Sequence, residues 1–164
     1  MNRLVLVAAS IMALSACSSE KSGTITNEDG DTVEYAIDGA GEDVTATISS
    51  DDGDATVRSG KNVDVKLPAG FTIYPGAEVQ HGTSFTADNG EGGLINMTSS
   101  ASPQKMVDFY RKQAEAAGAR ITLSATAGER MMLAGEKDGG VKFTFNAGKS
   151  GDKTEAQLVI GEGL

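Results

Sequence analysis

Residues 102–118 read SPQKMVDFYRKQAEAAG, the one segment of the chain whose apolar residues recur at spacings of three and four. Met106, Phe109, Tyr110, Ala114 and Ala117 share one stripe, while Asp108, Arg111, Lys112 and Glu115 take the other side, as in a helix that packs one face on a sheet. Ser102 suits the N-cap, Pro103 the first helical position, where an N–H has no partner in any case, and Gly118 the stop. Working outward, the apolar period falls to two. Ile121, Leu123 and Ala125, then Met131 to Ala134, then Val141, Phe143 and Phe145, then Ala156, Leu158 and Ile160 alternate with polar residues as half-buried strands do. Asp138-Gly139 predicts one hairpin and Gly148 to Asp152 a looser one. Before the helix, Phe71 to Tyr74 reads as a strand running into the Pro75-Gly76 turn, and further strands follow near Glu78 to Ala87 and Leu94 to Ser99. The fold class is therefore α+β, with one helix on an antiparallel sheet over residues 68–164.

Residues 24–67 carry no helical pattern. Val33, Tyr35 and Ile37, then Val44, Ala46 and Ile48, then Val57, then Val63, Val65 and Leu67 alternate with polar residues, and Asp29-Gly30, Asp38-Gly39 and Asp52-Gly53 favour tight turns. This predicts an N-terminal antiparallel β meander of about five strands. Its charge sets it apart: residues 18–60 hold eleven acidic and two basic side chains, whereas 61–164 hold twelve and eleven. The boundary is placed at Leu67-Pro68-Ala69-Gly70, where a proline and a glycine interrupt the alternation.

The N-terminus has a different grammar. Met1-Asn2-Arg3 is a basic start, Leu4 to Ala13 is almost wholly apolar, and Leu14-Ser15-Ala16 precedes the chain's one cysteine, Cys17. As a helix, Leu4 to Ala16 reaches about 20 Å, short of a hydrocarbon core of roughly 30 Å, so a cleaved signal is expected rather than a transmembrane anchor. Leu14 to Cys17 resembles a bacterial lipobox. That resemblance implies a signal peptide over 1–16, lipidation of Cys17, a polar tether over 17–23 and attachment to a membrane. Ser18 after the cysteine resembles the arrangement that permits export to the outer membrane, so the expected location is the cell envelope, facing the periplasm. Two or three acyl chains make such an anchor firm.

A second resemblance covers residues 67 to about 160. Leu67-Pro68-Ala69-Gly70-Phe71-Thr72-Ile73-Tyr74-Pro75-Gly76-Ala77, followed by Ser102-Pro103 and Val107-Asp108-Phe109-Tyr110-Arg111, resembles a small domain of bacterial envelope lipoproteins that pairs a YPGA turn with a helix carrying FYR. In those relatives an aromatic residue often follows the glycine after the helix, whereas Ala119 stands here. The resemblance implies a fold and brings no reaction, cofactor or catalytic residue with it.

Composition narrows the function classes. Losing residues 1–16 removes Arg3 and no acid, so the net charge passes from −9 to −10, a surface that repels nucleic acid. With Cys17 given to lipid, no thiol is left for a disulfide, a thiolate metal site or nucleophilic chemistry. His81 is the only histidine and sits among polar residues, which fits a surface position better than acid–base work; one histidine without cysteine cannot make a usual zinc site. Gly148-Lys149-Ser150 mimics the end of a phosphate loop, but Phe143 stands where its first glycine belongs and a strand follows, so a hairpin turn is expected. Gly90-Glu91-Gly92-Gly93 reads as a flexible loop, and Ser84 has no base nearby in sequence. The acidic turns Asn27 to Asp31 and Asp51 to Asp54 offer oxygens to calcium, but Thr32 stands where an EF-hand needs its glycine, and solvated hairpin tips are the simpler reading. Tyr74, Phe109 and Tyr110 read as core. No cofactor is expected.

The sequence thus predicts a lipid-anchored, non-enzymatic binding or structural module. The alternative is an envelope or cell-wall hydrolase, which would need two of Glu78, Asp88, Glu91 and Glu136 to meet in a cleft. A partner surface is expected on the sheet face away from the helix, assigned Arg120, Thr122, Ser124, Lys142, Thr144 and Asn146. This polar, mildly basic set suits an acidic envelope protein or an anionic polymer.

Overall fold

The computed structural model describes residues 20–26, 32–40, 42–50, 53–68, 70–88 and 90–162. The Leu14 to Cys17 motif, the turn expected at 27–31 and residues 51–52 lie outside this set. Ten strands and one helix follow in the order β1 (Glu20–Thr26), β2 (Thr32–Ala40), β3 (Asp43–Ser50), β4 (Gly53–Gly60), β5 (Glu78–Ala87), β6 (Gly90–Ser99), α1 (Pro103–Ala116), β7 (Arg120–Ala127), β8 (Arg130–Glu136), β9 (Val141–Ser150) and β10 (Lys153–Glu162). All strands are antiparallel and form one sheet ordered β1-β2-β3-β4-β5-β6-β10-β9-β8-β7. The α+β class holds: an N-terminal meander leads into a sheet that carries a single helix. The meander joins that sheet through β4 and β5, in register from Ala55 opposite Ala87 to Gly60 opposite Gly82.

The helix forms where its caps direct it. Ser102 is extended, and its hydroxyl accepts a hydrogen bond from the Lys105 N–H; Pro103 opens the first turn; Gly118, at φ 80°, takes the left-handed turn that ends the helix. Its buried stripe is Pro103, Met106, Val107, Tyr110 and Ala114, with Phe109 half-buried at the margin. Beneath it lie Ile95 and Met97 of β6, Leu158 and Ile160 of β10, Phe143 and Phe145 of β9 and Leu133 of β8, all buried. Tyr110 stacks on Phe145 at 4.3 Å between ring centroids, and its hydroxyl accepts the Tyr74 N–H at 3.1 Å while donating to Met97 Sδ at 3.7 Å. The YPGA turn and the helix are thereby locked together, with Phe109 edge-on to Tyr74 at 5.0 Å.

Several expected details change. Glu20 to Gly23, expected within the tether, belong to β1, paired from Glu20 opposite Asp38. The meander has four strands rather than about five: Val63 to Leu67 are extended but unpaired, and Val65 instead packs where Gly82 and Gly93 leave room. Phe71 to Tyr74 is likewise not a strand; the turns Phe71 N–H to Pro68 O and Tyr74 O to Ala77 N–H hold it. Gly90 to Gly93 open β6 and are not a loop, because a Cβ on Gly93 would lie 2.2 Å from Val65 Cγ1 and one on Gly92 2.4 Å from Phe85 Cζ. Gly148 to Ser150 end β9, and the turn itself is Gly151-Asp152 between Ser150 and Lys153.

Candidate functional site

The sheet face away from α1 is uncovered over its C-terminal half. Cross-strand register builds it in rows. One row runs Ala125, Met132, Asn146, Gln157, Asn96 across β7, β8, β9, β10 and β6, and ends on His81 of β5. The next runs Ala127, Arg130, Gly148, Glu155, Thr98 and ends on Glu78. With neighbouring strands about 4.8 Å apart, six strands span roughly 24 Å. From β7 to β6 the two rows line a trough of about 810 Å³, which Gln80 of β5 closes at that end.

Its chemistry divides along the row. Small residues, Ala125, Ala127 and Gly148, leave the hollow, and Met132, 39% exposed, supplies a pliable apolar wall. Three carboxamides lie side by side, with Gln157 Nε2 donating to Asn96 Oδ1 at 3.0 Å and Asn146 on the next strand. Such a row presents both donors and acceptors to a ligand. At the far end Ser150 donates to the Glu155 carboxylate at 2.8 Å, and Lys153 pairs with Glu78 at 3.1 Å. Arg130 lines the trough, and its side chain has no hydrogen bond or ion pair among the described residues, so its guanidinium is available to an anion.

The expected partner face is thus partly corrected. The register slips between Ile121 and Leu123, leaving Thr122 as the extra residue, and the slip inverts the rest of β7. Ser124 stands opposite buried Leu133 and accepts from Arg111 of the helix at 2.8 Å, so it faces α1; Leu123 and Ala125 take its place on the open face. Arg120 remains there, but its guanidinium pairs with Glu136. Thr144 and Asn146 are on the open face as expected, as is Lys142, opposite Glu136.

The four candidate carboxylates do not converge. Glu78 is held by Lys153 on β5, while Glu136 is held by Arg120 on β8, four strands away. Asp88 caps the β5–β6 hairpin against Gly53, and Glu91 is on the helix-side face of β6. His81, expected at the surface, is half-buried, with Nε2 at 2.8 Å from Ser59 Oγ, which also meets Thr83 Oγ1 at 3.1 Å. A serine and a histidine at that distance satisfy one condition for a nucleophile and base. The condition of an orienting carboxylate is not met: Asp43 belongs to the opposite face, and the Asn62 side-chain amide and N–H hold its carboxyl below the usual range. Ser84 has no hydrogen bond to a base among the described residues. No group of three or more metal-ligating side chains occurs among them, and no helix there is long and apolar enough to cross a membrane.

Sequence reasoning missed the trough. Its residues come from six strands, and of its three carboxamides the sequence alternation assigned only Asn146 to that face.

A family model described as START domain-like matches residues 79–153, which run from β5 through the helix to the first residue of β10 and include most of the trough. No curated protein and no solved structure matches the chain.

Proposed function

We propose that the chain is a non-enzymatic binding module, anchored by a lipid on Cys17 to the outer membrane and facing the periplasm, whose trough holds an elongated ligand with an anionic group. The observation that carries the reading is the trough itself: a concave face with an apolar wall, a carboxamide row and one unpaired cation has the composition of a ligand site rather than of a reaction centre. The START domain-like match over 79–153 supports a ligand-binding module. Arg130 suits a carboxylate or phosphate, so an anionic envelope polymer or an acidic envelope protein is the fitting partner. The Leu14 to Cys17 motif and Ser18 support the anchor and its placement.

Titration of the chain with soluble anionic cell-wall glycan fragments tests the site. Binding should weaken as salt rises, and Arg130→Glu or Met132→Asp should each reduce affinity at least tenfold, on the order of 1.4 kcal/mol, without moving the melting temperature of these exposed positions. Equal binding by both variants would refute the trough as the site. The anchor is tested separately: Cys17→Ala should abolish palmitate labelling and release the protein from membranes, and retention of the variant there would overturn it.

A further inference from the structure

The meander is an amphipathic sheet whose apolar side has no cover among the described residues. Ile25, Ile37, Val44 and Ile48 are 60%, 37%, 40% and 42% exposed, and cross-strand register puts all four on one face: Ile37 stands opposite Ala46 and that opposite Val57, while Tyr35 stands opposite Ile48 and that opposite Ala55. Ile25 joins them opposite Val33, and Val44 opposite Ser59. Glu34, Asp38, Asp43 and Asp54 alternate onto the other face. Within β1 to β4 the one charged residue on the apolar face is Lys21, opposite Ile37. Four strands about 4.8 Å apart make this face roughly 14 Å across, larger than the scattered apolar residues of an ordinary surface.

We propose that this face lies on the bilayer surface to which Cys17 is attached; the inference rests on the lipid-anchor reading. Cys17 precedes Glu20, the first residue of β1, by three residues, a reach of about 11 Å when fully extended. An acylated Cys17 therefore holds the sheet edge within about a nanometre of the headgroups. Charge selects the side that turns down: the isoleucines and Lys21 meet the interface, and the acidic face points away from anionic lipid. This face continues across β5, where Val57 stands opposite Phe85 and Ser59 opposite Thr83, onto the side of the sheet that carries the trough.

The test uses the full lipidated protein in vesicles of phosphatidylethanolamine with a minority of phosphatidylglycerol. Acylation consumes the Cys17 thiol, so Ile48→Cys gives a single site for a polarity-sensitive dye, with Val44→Cys as a second probe of the apolar face and Thr47→Cys as its opposite-face control. Dye at positions 44 and 48 should be blue-shifted and quenched several-fold more strongly by spin-labelled lipid than dye at position 47. Palmitate incorporation is measured on the same samples. Palmitate present with equal quenching at all three positions overturns the docking and leaves the anchor standing, whereas palmitate absent overturns the anchor and this proposal with it. Shielding at 44 and 48 that lipid quenchers do not reach would put a second copy or another protein there and would also overturn it.

Discussion

Replacing Tyr110 with phenylalanine tests the lock between helix and turn. The ring is fully buried against Phe145, so the substitution keeps the packing and removes one oxygen. That oxygen accepts the Tyr74 N–H, and its loss leaves a half-buried donor without a partner, at a cost of about 1–2 kcal/mol near neutral pH. For a chain of this size that is a fall in melting temperature of roughly 2–8 °C. The same site makes a second, pH-dependent demand. Burial pushes the Tyr110 phenol up from 10.0 to about 12, against the opposing effect of the Tyr74 N–H. Between these values the unfolded state has released a proton that the folded state keeps, so stability falls as pH rises: the contribution is whole below about pH 10 and is lost through about pH 12. At about pH 11 the wild type should have lost on the order of 1.4 kcal/mol that Tyr110→Phe never possessed, so the gap between the two proteins should nearly close. Urea unfolding of both at several values between pH 8 and pH 11 measures it, and lysine titrations cancel in the difference. A gap that stays constant across the range would refute the account of a desolvated phenol beneath the helix.

Gly93→Ala should destabilise by about 1–3 kcal/mol, because its Cβ would press on Val65 Cγ1 and on the Thr83 carbonyl; adding Val65→Ala should recover part of that loss, and strict additivity in denaturant melts would show that the contact is not the cause. Ser102→Ala should cost about 1 kcal/mol through loss of the N-cap and Ser102→Asp should restore most of it, both read by thermal unfolding; no change in the alanine variant would remove Ser102 from that role.

The helix was legible because every local signal in residues 102–118 agrees: cap, proline, period and terminal glycine. The strands of the C-terminal half were legible wherever one face is buried, as at Phe143 and Phe145 or Leu158 and Ile160, since alternation records burial. What misled were residues whose meaning depends on distant neighbours. Gly92 and Gly93 have loop composition, but they are glycine because Phe85 and Val65, far away in sequence, fill the space a side chain would need. Val63 to Leu67 alternate like a strand because they cover sheet side chains, yet their backbone finds no ladder. The slip beside Thr122 has no sequence signature, and it alone moves Ser124 to the helix and Leu123 to the open face. The trough needs strand order and curvature as well as face, so its carboxamides read as ordinary solvated residues. Ser59 and His81 meet only because β4 pairs with β5.

The position of β10 governs how this molecule is made. It lies between β6 and β9, and Leu158 and Ile160 are fully buried beneath the helix. In sequence it follows the other nine described strands, so until residues 153–162 emerge the growing chain holds two unjoined sheet fragments and an unsealed core. Closing them requires the last strand to insert between two earlier ones, a non-local step that is slow compared with hairpin formation.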